Sequence, residues 1–422
     1  MTQNTSTHSP IFMDVSRLLS RAGHSVPTGI DRTEYEYAAY LAKHWGDALV
    51  FVAYHPVHGI CSLNRLDVVR FLSFTAALWD GKATNPSVLK WMARKILLSL
   101  SFGRYIAQET LTKSSPIYLL LSHHHLMKER CIQSFLKKNN GRLVVMIHDI
   151  IPIEFPEYSR PGEDKRHLLR LKTVARLAHG VIVPTQSVAQ ALSPFMPTNL
   201  PIKNIAHGLH IWGLEKTEGK PANITVPSQP YFVCIGTIEP RKNHLLLLNI
   251  WRNLAKSQNT IIPKLIIIGR RGWENENILD MLERCPTLQA HVQEYNSLND
   301  QQVVHLLRHA QALLFPSFAE GFGLPLLEAL AVQTPVVCSD LAVFREIAGA
   351  AATYLDPLDG PEWTRAINAL STSKSTMSVE SSTLAAYVPP INPWPTQVCL
   401  GLDFLTSLHN TYFSENVRYA KN

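Results

Sequence analysis

The chain has 422 residues, of which 46% are hydrophobic and 17% are charged, and its net charge is +7. This length favours two domains, and the apolar content excludes a disordered chain. No apolar run reaches the ~18 residues of a membrane span, and residues 1–10 lack the apolar centre of a secretory signal, so we expect a globular cytoplasmic protein.

Cysteine spacing and charge distribution narrow the class of protein further. Six cysteines are scattered without paired spacing, which indicates free thiols and neither a zinc site nor a disulfide framework. Residues 1–212 carry 24 Lys+Arg against 14 Asp+Glu, a difference of +10, and the remaining 16 and 19 in residues 213–422 give −3. A basic first half suggests an anionic partner, either lipid headgroups or nucleic acid.

From Ile11 onward, short apolar runs alternate with helical stretches. Helices are predicted at residues 33–43 and 165–178, among others. Strands are predicted at residues 50–54, 117–121, 143–147 and 180–184. Apolar strands that alternate with helices favour a parallel sheet that is covered on both faces.

The alternation pauses at residues 213–229, a polar stretch that we interpret as a linker. It resumes with strands at residues 231–235, 264–269, 312–315 and 335–338. We therefore predict an α/β protein with two doubly wound parallel-sheet domains, residues 1–212 and 228–391. The Ser/Thr-rich residues 371–390 read as an exposed connector, and residues 392–422 are expected to return to the first domain through a helix at 398–408.

A loop near the end of the second half combines two glutamates with glycines. It follows an apolar strand and carries Glu320, Gly321 and Gly323; a helix is predicted directly after it, with Pro325 in the first turn. The glycines let the backbone approach a ligand, and the helix N-terminus favours an anion. Glu328 lies about one turn into this helix, so both carboxylates can face one pocket. The pattern suits a sugar joined to a diphosphate, although an ordinary strand-to-helix turn explains it equally well.

Further blocks strengthen the first interpretation. In the second half they are Ile-Gly-Thr-Ile-Glu-Pro-Arg-Lys-Asn at 235–243, Ile-Ile-Ile-Gly at 266–269, and the Glu320-x7-Glu328 segment. With these, most of the chain resembles the retaining glycosyltransferases of family 4, which have the GT-B fold of two facing Rossmann-like domains. In the first half, residues 27–32, 148–152 and 156–163 are similar to a narrower group of bacterial surface-polysaccharide mannosyl- and rhamnosyltransferases.

The resemblance implies how the second domain binds a donor sugar. Glu320 would hold a sugar hydroxyl, and Glu328 would hold the nucleotide ribose. The sugar or diphosphate would meet the loop amides and the helix start at Gly321, Phe322, Gly323 and Leu324.

Two basic residues are implied to neutralise the diphosphate. Many relatives have an arginine directly after the glycine of the first block, where this chain has Thr237. We therefore expect the phosphates to be bound by Lys242 first, as a point charge, and by Arg241 second, as a forked donor. A solvated basic turn is the structural alternative.

The first domain is implied to contribute to the same cleft. Gly29, in a loop before the helix at 33–43, would bring its backbone near the donor phosphates, and His148, at a strand end, would contact the donor sugar. His148, Glu320 and Lys242 are thus the predicted catalytic residues. The acceptor-side candidates are Asp31, Arg32, Asp149, Arg160 and His167, with His24 and Arg170 as weaker ones. The run His123 to His125 suits a metal poorly, and we expect cleft or surface positions for it.

The predicted reaction is transfer of a hexose from a nucleoside diphosphate sugar to a hydroxyl of a glycan or of a polyprenyl-diphosphate-linked saccharide. GDP-mannose is the favoured donor, with a UDP-sugar as the other option. Family 4 enzymes retain the anomeric configuration by same-face substitution, and we expect no metal and no cofactor. The alternatives are an epimerase or a phosphorylase on the same scaffold, or a non-catalytic binder of anionic ligands. Nucleic acid is not an expected partner, because the chain lacks the aromatic and basic pattern of known RNA-binding motifs.

Residues 90–105 are basic and apolar together. They fit a helix that lies on an anionic bilayer, and equally a core helix with snorkelling cations. The first interpretation would place the protein at the inner face of the cytoplasmic membrane.

Overall fold

The computed structural model describes residues 9–82, 85–100, 115–210, 224–257, 262–372 and 392–419. Most of the predicted linker and connector, and residues 101–105 of the basic segment, lie outside these ranges. The chain forms two compact units. The N unit contains Met1–Ile150, Asp164–Gly208 and Trp394–Asn422, and the C unit contains Ile151–Glu163 and Leu209–Pro393.

The N unit is built on a seven-stranded sheet with the order β3-β2-β1-β4-β5-β6-β7. All neighbouring strands are parallel except β3, which forms an antiparallel hairpin with β2. The strands are β1 Ile11–Asp14, β2 Leu49–His55, β3 Gly59–Ser62, β4 Ile117–Leu120, β5 Arg142–Met146, β6 Ala178–Val183 and β7 Ile202–Asn204.

Helices cover this sheet and bury its apolar side chains. They are α1 Ser16–Ser20, α2 Gly29–His44, α3 Arg65–Trp79, α4 Pro86–Leu100, α5 Glu129–Asn139, α7 Glu163–Leu177 and α8 Gln186–Leu192. The last helix of the chain, α16 Trp394–Tyr419, packs in the same core through Val398, Leu402 and Leu405. The predicted return of the C-terminal helix to the first domain is therefore confirmed.

The C unit is built on a six-stranded, all-parallel sheet with the order β10-β9-β8-β11-β12-β13. Its four central strands, β9, β8, β11 and β12, are mostly apolar and lie between two separate core clusters, as expected for a sheet covered on both faces. They are β8 Tyr231–Ile235, β9 Lys264–Ile268, β10 Val292–Tyr295, β11 Ala312–Phe315, β12 Val336–Ser339 and β13 Thr353–Leu355.

The helices of the C unit complete the doubly wound architecture. They are α6 Ile151–Glu154, α9 His244–Leu254, α10 Glu276–Arg284, α11 Pro286–Gln289, α12 Asp300–His309, α13 Leu324–Ala331, α14 Ala342–Ala348 and α15 Gly360–Thr372. The short segment around α6 belongs to this unit although it precedes much of the N unit in sequence. Within it, the Tyr158 ring stacks on Phe318 at a centroid distance of 5.3 Å.

Each sheet has a point where the strand order reverses. It lies between β1 and β4 in the N unit and between β8 and β11 in the C unit. Open α/β sheets bind ligands beyond the carboxyl ends of the strands at this point. A site is therefore expected in the segments that follow these four strands. The glutamate-glycine loop follows β11, and the run His123 to His125 follows β4.

Candidate functional site

The C unit brings two distant segments together at its switch point. Strand β8 leads through Gly236 into a short 3-10 helix, Pro240–Lys242, and β11 leads into the loop that carries Glu320. The amide of Phe318 donates to the carbonyl of Arg241 over 2.8 Å. This backbone hydrogen bond fixes the two segments to each other, so their charged side chains share one place.

Four charged side chains form a compact cluster there. The Lys242 ammonium donates to Glu320 Oε1, and Arg241 Nη1 lies 2.7 Å from Glu320 Oε2. The Ser317 hydroxyl also donates to Glu320 Oε1, over 2.8 Å. Arg241 is held from its other side by Glu239, with Nη2 to Oε1 at 2.8 Å. Two carboxylates and two cations therefore balance each other in a largely buried cluster.

Burial and pairing act in opposite directions on these groups. Burial opposes the ionisation of Glu320, but the charges and hydrogen bonds of Arg241 and Lys242 outweigh it and lower its pKa to about 2. The pKa of Lys242 is lowered by burial, with Glu320 counteracting the effect. The pKa of Glu239 is raised, because burial outweighs the attraction of Arg241. Glu320 is thus a carboxylate at neutral pH and a strong hydrogen-bond acceptor.

Glycines allow close backbone approach around this cluster. A Cβ on Gly269 would overlap the carbonyl oxygen of Gly236, and a Cβ on Gly236 would lie 3.1 Å from Lys242 Cε. Gly323 has φ +107 and caps α13; a Cβ there would lie 2.8 Å from Phe344 Cε1. At these three positions any side chain would meet a neighbouring residue.

The predicted start of the helix is correct: α13 begins at Leu324 with Pro325 in its first turn. Because the first amides of a helix have no intrahelical acceptor, they and the positive dipole end are suited to an anion. Glu328 lies one turn into α13 and is half-buried. Gly321 and Phe322 are buried in the loop before the helix.

The sequence did not reveal the role of Glu239. Glu239 is 3% exposed, and its carboxylate accepts hydrogen bonds from the Arg241 guanidinium. Arg241 Nη1 also donates to the carbonyl oxygen of Ala319 over 2.6 Å. The only signal was its position two residues before Arg241. Consequently, Arg241 is positioned by two carboxylates rather than extended into solvent.

In the N unit, Gly29 is the first residue of α2 and does not lie in a loop, which corrects the prediction. The helix starts earlier because Thr28 and Asp31 form a capping box: Thr28 Oγ1 accepts from the Asp31 amide, and the Asp31 carboxylate accepts from the Thr28 amide. Asp31 also pairs with Arg17 and Arg21, each over 2.7 Å. This acceptor-side candidate therefore fixes the start of α2.

His148 follows β5 and belongs to a group of four imidazoles. Its Nε2 lies 2.8 Å from the carbonyl oxygen of Leu121. Ring centroids are 5.6 Å apart for His148 and His123, 5.6 Å for His148 and His207, and 5.1 Å for His123 and His167. We call these four residues the histidine cluster. Burial lowers the pKa of His148 to about 4 and holds those of His123 and His207 well below the usual value.

His125 is buried and does not lie at the surface, which corrects that part of the prediction. Its Nε2 lies 3.0 Å from Asp14 Oδ2, and the Tyr118 hydroxyl donates to the same carboxylate oxygen over 2.7 Å. The reason is the turn after β4, which directs His125 back over the sheet while His124 stays exposed. Close by, the buried Glu34 accepts from the Leu18 amide over 3.0 Å, and burial together with the charge of Asp14 raises its pKa to about 8.

The remaining acceptor-side candidates fall in different places. Arg160 is part of the C unit, where its guanidinium lies over the Trp273 ring at 5.1 Å. Asp149 directly follows His148, and its charge raises the pKa of that ring against the effect of burial. His167 is 1% exposed and lies in the histidine cluster, and Arg32 is half-buried on α2.

The sequence led us to expect no metal site, no disulfide framework and no membrane-spanning segment, and the following statements apply to the residues that the structure describes. No group of three or more His, Cys, Asp or Glu side chains there has the geometry to hold a metal ion. The six cysteines are free thiols. None of the described helices is both long and apolar enough to cross a bilayer.

Helix α4 has one face in the core of the N unit and one exposed face that is both apolar and basic, so each interpretation of the sequence describes one face of it. Leu89, Ala93 and Ile96 are buried in the core of the N unit. Trp91 and Leu98 are 61% and 64% exposed, and the Lys95 ammonium lies 5.5 Å above the Trp91 ring. The helix therefore packs on the core with one face and exposes a mixed apolar and basic face.

Comparisons with known proteins find glycosyltransferases among those that this chain resembles. Residues 215–378 match the family described as glycosyl transferases group 1. A serotype-specific mannosyltransferase, WbdA of Escherichia coli, is 30% identical over 340 residues, which is 75% of this chain and 41% of WbdA. The O-antigen chain mannosyltransferase RfbU of Salmonella typhimurium is 25% identical over 78% of this chain and 85% of its own length. The chain spans between a third and about two fifths of the WbdA proteins that it matches.

Solved structures share the fold at low sequence identity. HepE of Anabaena, solved in complex with UDP and glucose, aligns with a TM-score of 0.62 at 16% identity over 95% of this chain and 100% of its own. Sucrose-phosphate synthase from Thermosynechococcus elongatus aligns with a TM-score of 0.62 at 14% identity over 97% and 100%. These neighbours are GT-B glycosyltransferases, so the predicted pair of Rossmann-like domains is confirmed.

Proposed function

We propose that this chain, whose residues 215–378 match the family described as glycosyl transferases group 1, is a retaining hexosyltransferase that uses a nucleoside diphosphate sugar. The acceptor would be a hydroxyl of a glycan or of a lipid-linked saccharide in surface-polysaccharide synthesis. The observation that carries the proposal is the cluster of Arg241, Lys242 and Glu320 at the switch point of the C unit.

The cluster suits a sugar joined to a diphosphate because it offers both kinds of partner. Lys242 and Arg241 supply positive charge, and the first amides of α13 add hydrogen-bond donors for phosphate oxygens. Glu320, ionised by its two cations, accepts hydrogen bonds from sugar hydroxyls. An arriving diphosphate competes with Glu320 for Lys242 and Arg241, so donor binding redistributes hydrogen bonds that already exist.

The proposed chemical step needs no protein nucleophile. The bond between the anomeric carbon and the donor phosphate oxygen breaks, and a bond to the acceptor oxygen forms on the same face of the sugar. The acceptor proton passes to the departing phosphate oxygen, which balances the step. Lys242 and Arg241 stabilise the negative charge that develops on the diphosphate, so the protein acts by positioning and by electrostatics.

His148 is suited to a sugar hydroxyl in its neutral form. A carbonyl oxygen only accepts, so the contact with Leu121 requires the proton on Nε2 and leaves Nδ1 as an acceptor. Its pKa of about 4 keeps the ring neutral at physiological pH. We propose that Nδ1 accepts a hydrogen bond from a hydroxyl of the donor sugar.

Mannose is the proposed sugar and GDP-mannose the proposed donor. Support comes from the curated relatives, whose names describe mannosyltransferases, and from the Glu-Pro-Arg-Lys-Asn block at residues 239–243. UDP-glucose is the main competitor, since the fold neighbour HepE was solved with UDP and glucose.

A donor screen with product analysis tests the proposal. The protein is incubated with GDP-mannose, UDP-glucose and dTDP- and ADP-sugars, with a lipid-tailed mannoside as acceptor. We expect mannose transfer from GDP-mannose and an α-linked product by NMR, as in the donor. A β-linked product would contradict retention. Conversion of the donor sugar without acceptor would instead support an epimerase, and no turnover with any donor would contradict enzyme function.

We also propose that α4 holds the protein on an anionic bilayer at the inner face of the cytoplasmic membrane. Support comes from the exposed Trp91 and Leu98 beside three exposed cations, Lys90, Arg94 and Lys95. Vesicles with anionic phosphatidylglycerol should bind the protein at least fivefold more tightly than phosphatidylcholine vesicles, and Leu98→Ser should weaken that binding. Leu358→Ser, which removes an exposed leucine of the C unit, is the matched control. Equal binding to both vesicle types would overturn the proposal.

A further inference from the structure

One segment of the C unit, Ile151–Glu163, contacts two loops that support the cluster of four charged side chains. We call it the α6 segment. The chain enters it from the N unit and returns to the N unit after it. Within the C unit, the Tyr158 ring stacks on Phe318, and the Arg160 guanidinium lies 5.1 Å from the centroid of the Trp273 ring. The proposed chemical step uses neither Tyr158 nor Arg160, so their contacts with these loops need another explanation.

Phe318 lies in the loop after β11, between two residues that contact the charged cluster. Phe318 is half-buried, whereas Ser317 and Ala319 on either side of it are buried. The Ser317 hydroxyl donates to Glu320 Oε1, and the Ala319 carbonyl oxygen accepts from Arg241 Nη1. The amide of Phe318 itself donates to the carbonyl of Arg241 over 2.8 Å. A contact that holds the Phe318 ring in place therefore also holds the backbone that joins the two parts of the cluster.

The contact between Tyr158 and Phe318 is a well-aligned aromatic stack. The two rings are parallel to within 5°, and their centroids are 5.3 Å apart, which corresponds to an offset stack, an arrangement that aromatic pairs prefer. Both residues are half-buried, so the stack removes apolar ring surface from water. The contact uses the face of the ring, and Tyr158→Phe should therefore preserve it.

The second contact, between Arg160 and Trp273, involves the loop after β9. A guanidinium over an indole ring is attracted by the negative face of that ring. In the same loop, the Asn275 side-chain amide donates to the carbonyl of Ile238 over 2.8 Å. Ile238 directly precedes Glu239, the second carboxylate of the charged cluster. The α6 segment is thus fixed to the supports of both carboxylates.

We propose that Tyr158 and Arg160 are positioning residues of the donor site, which hold the loops of the charged cluster through Phe318 and Trp273. The segment would lower the freedom that these loops lose when a diphosphate sugar binds, and it would contribute no group to the chemical step. The identity of the ligand at the cluster rests on the proposed function. The effect of the segment on the loops does not depend on it.

Amide hydrogen exchange of the full chain, followed by NMR without any donor, tests the effect on the first loop. Exchange of the Phe318 amide reports on its hydrogen bond to Arg241. We expect Tyr158→Ala to accelerate this exchange at least tenfold and Tyr158→Phe to change it less than twofold. The amides inside β12, in the same sheet, should be unaffected by either change. Unchanged exchange at Phe318, or equal acceleration in β12, would overturn the positioning role.

The second loop has its own reporter and a matched control. The Ile238 amide donates to the carbonyl of Arg270 over 2.8 Å. Arg160→Gln should accelerate its exchange at least threefold, whereas Arg284→Gln, which replaces an exposed arginine of the same unit, should not. Equal exchange at Ile238 in both variants would overturn the role of Arg160. Because Arg160 is exposed, its substitution should leave the C unit folded even if Tyr158→Ala does not.

Steady-state kinetics with the identified donor connect the positioning to catalysis. Tyr158→Ala should raise KM for the donor at least tenfold and leave KM for the acceptor within twofold, and Tyr158→Phe should restore the wild-type donor KM. A purely structural role would instead reduce the amount of active enzyme and leave the donor KM unchanged. Accelerated exchange at Phe318 with an unchanged donor KM would contradict the proposed binding of the donor at this cluster. Unchanged exchange with normal transfer activity would contradict the positioning role alone.

Discussion

Two buried glutamates of this protein, Glu320 in the C unit and Glu34 in the N unit, have opposite pKa shifts. Burial penalises the charge of both. Glu320 contacts Arg241 and Lys242, and its pKa falls to about 2. Glu34 has Asp14 as its main charged neighbour, and its pKa rises to about 8. Burial alone therefore does not determine the protonation of a carboxyl group; the sign of the nearest charge does.

The same contrast separates the two units as chemical environments. In the C unit, Arg241 and Lys242 pair with Glu320, and a substrate can replace these ion pairs with its own contacts. A diphosphate would bind the cations, and a sugar hydroxyl would bind the carboxylate. The N unit buries imidazoles whose pKa is lowered by burial, which suits hydrogen bonding by neutral rings. The comparison leads to substitutions with different and measurable outcomes in the two units.

The largest expected effect follows Glu320→Gln. This change keeps the size of the side chain but leaves Lys242 without its carboxylate partner and Arg241 with Glu239 alone. It also removes the charged acceptor that is proposed for a sugar hydroxyl. We expect kcat/KM to fall roughly 100- to 1000-fold, the range seen when one electrostatic contact in an active site is lost. Steady-state kinetics with the identified donor provide the measurement. Glu283→Gln, an exposed glutamate of the same unit, should change kcat/KM less than about twofold.

The next largest effect is expected for Gly269→Ala. Because the new Cβ would overlap the backbone oxygen of Gly236, the ends of β8 and β9 must separate. We expect about 3 kcal/mol of destabilisation in the C unit, seen as a lower thermal transition. Gly162→Ala is the control, since Gly162 has open space around its Cβ position. Its positive φ of +79 is the only source of strain, so this substitution should cost about 1 kcal/mol. Equal costs for both variants would show that this close approach does not constrain the fold.

A smaller effect, of opposite sign, is expected for Glu34→Gln. As pH rises above the ordinary pKa of 4.5, the unfolded chain loses a proton that folded Glu34 keeps until about pH 8, so stability falls across this window. Glutamine can still accept the hydrogen bond from the Leu18 amide, but it has no proton to lose in this pH range. The substitution therefore removes the fall in stability between pH 4.5 and 8. We expect stabilisation of roughly 2–4 kcal/mol at pH 8 and almost none at pH 4. Asp47→Asn, at an exposed position, should leave the pH dependence of unfolding unchanged; a Glu34→Gln profile parallel to wild type would contradict the raised pKa.

Sequence reasoning predicted eight of the thirteen described strands, and it did so for a physical reason. Buried parallel strands read as continuous apolar runs, and the observed bounds of β8 and β11 equal the predicted ones. The start of α13 was predictable because Gly323 and Pro325 have fixed conformational roles. Local chemistry of this kind leaves a direct signal in the chain.

Features that depend on tertiary contacts left no such signal. Glu239, Glu34 and His125 look like ordinary polar residues until the fold places Arg241 and Asp14 beside them. The short β3 hairpin strand is half-buried and only four residues long, so its pattern is weak. The helix at Gly29 was predicted too late because the capping box of Thr28 and Asp31 was not recognised.

The binding of the donor to the cation–carboxylate cluster is tested most directly by Lys242→Met. This change keeps an unbranched side chain and removes its charge, and Lys256→Met, at an exposed position of the same unit, is the matched control. Calorimetric titration with GDP-mannose and, in parallel, UDP-glucose gives the dissociation constants. We predict that Lys242→Met weakens the donor that wild type binds by at least thirtyfold, while Lys256→Met leaves its affinity unchanged. An affinity equal to wild type in Lys242→Met would contradict the account.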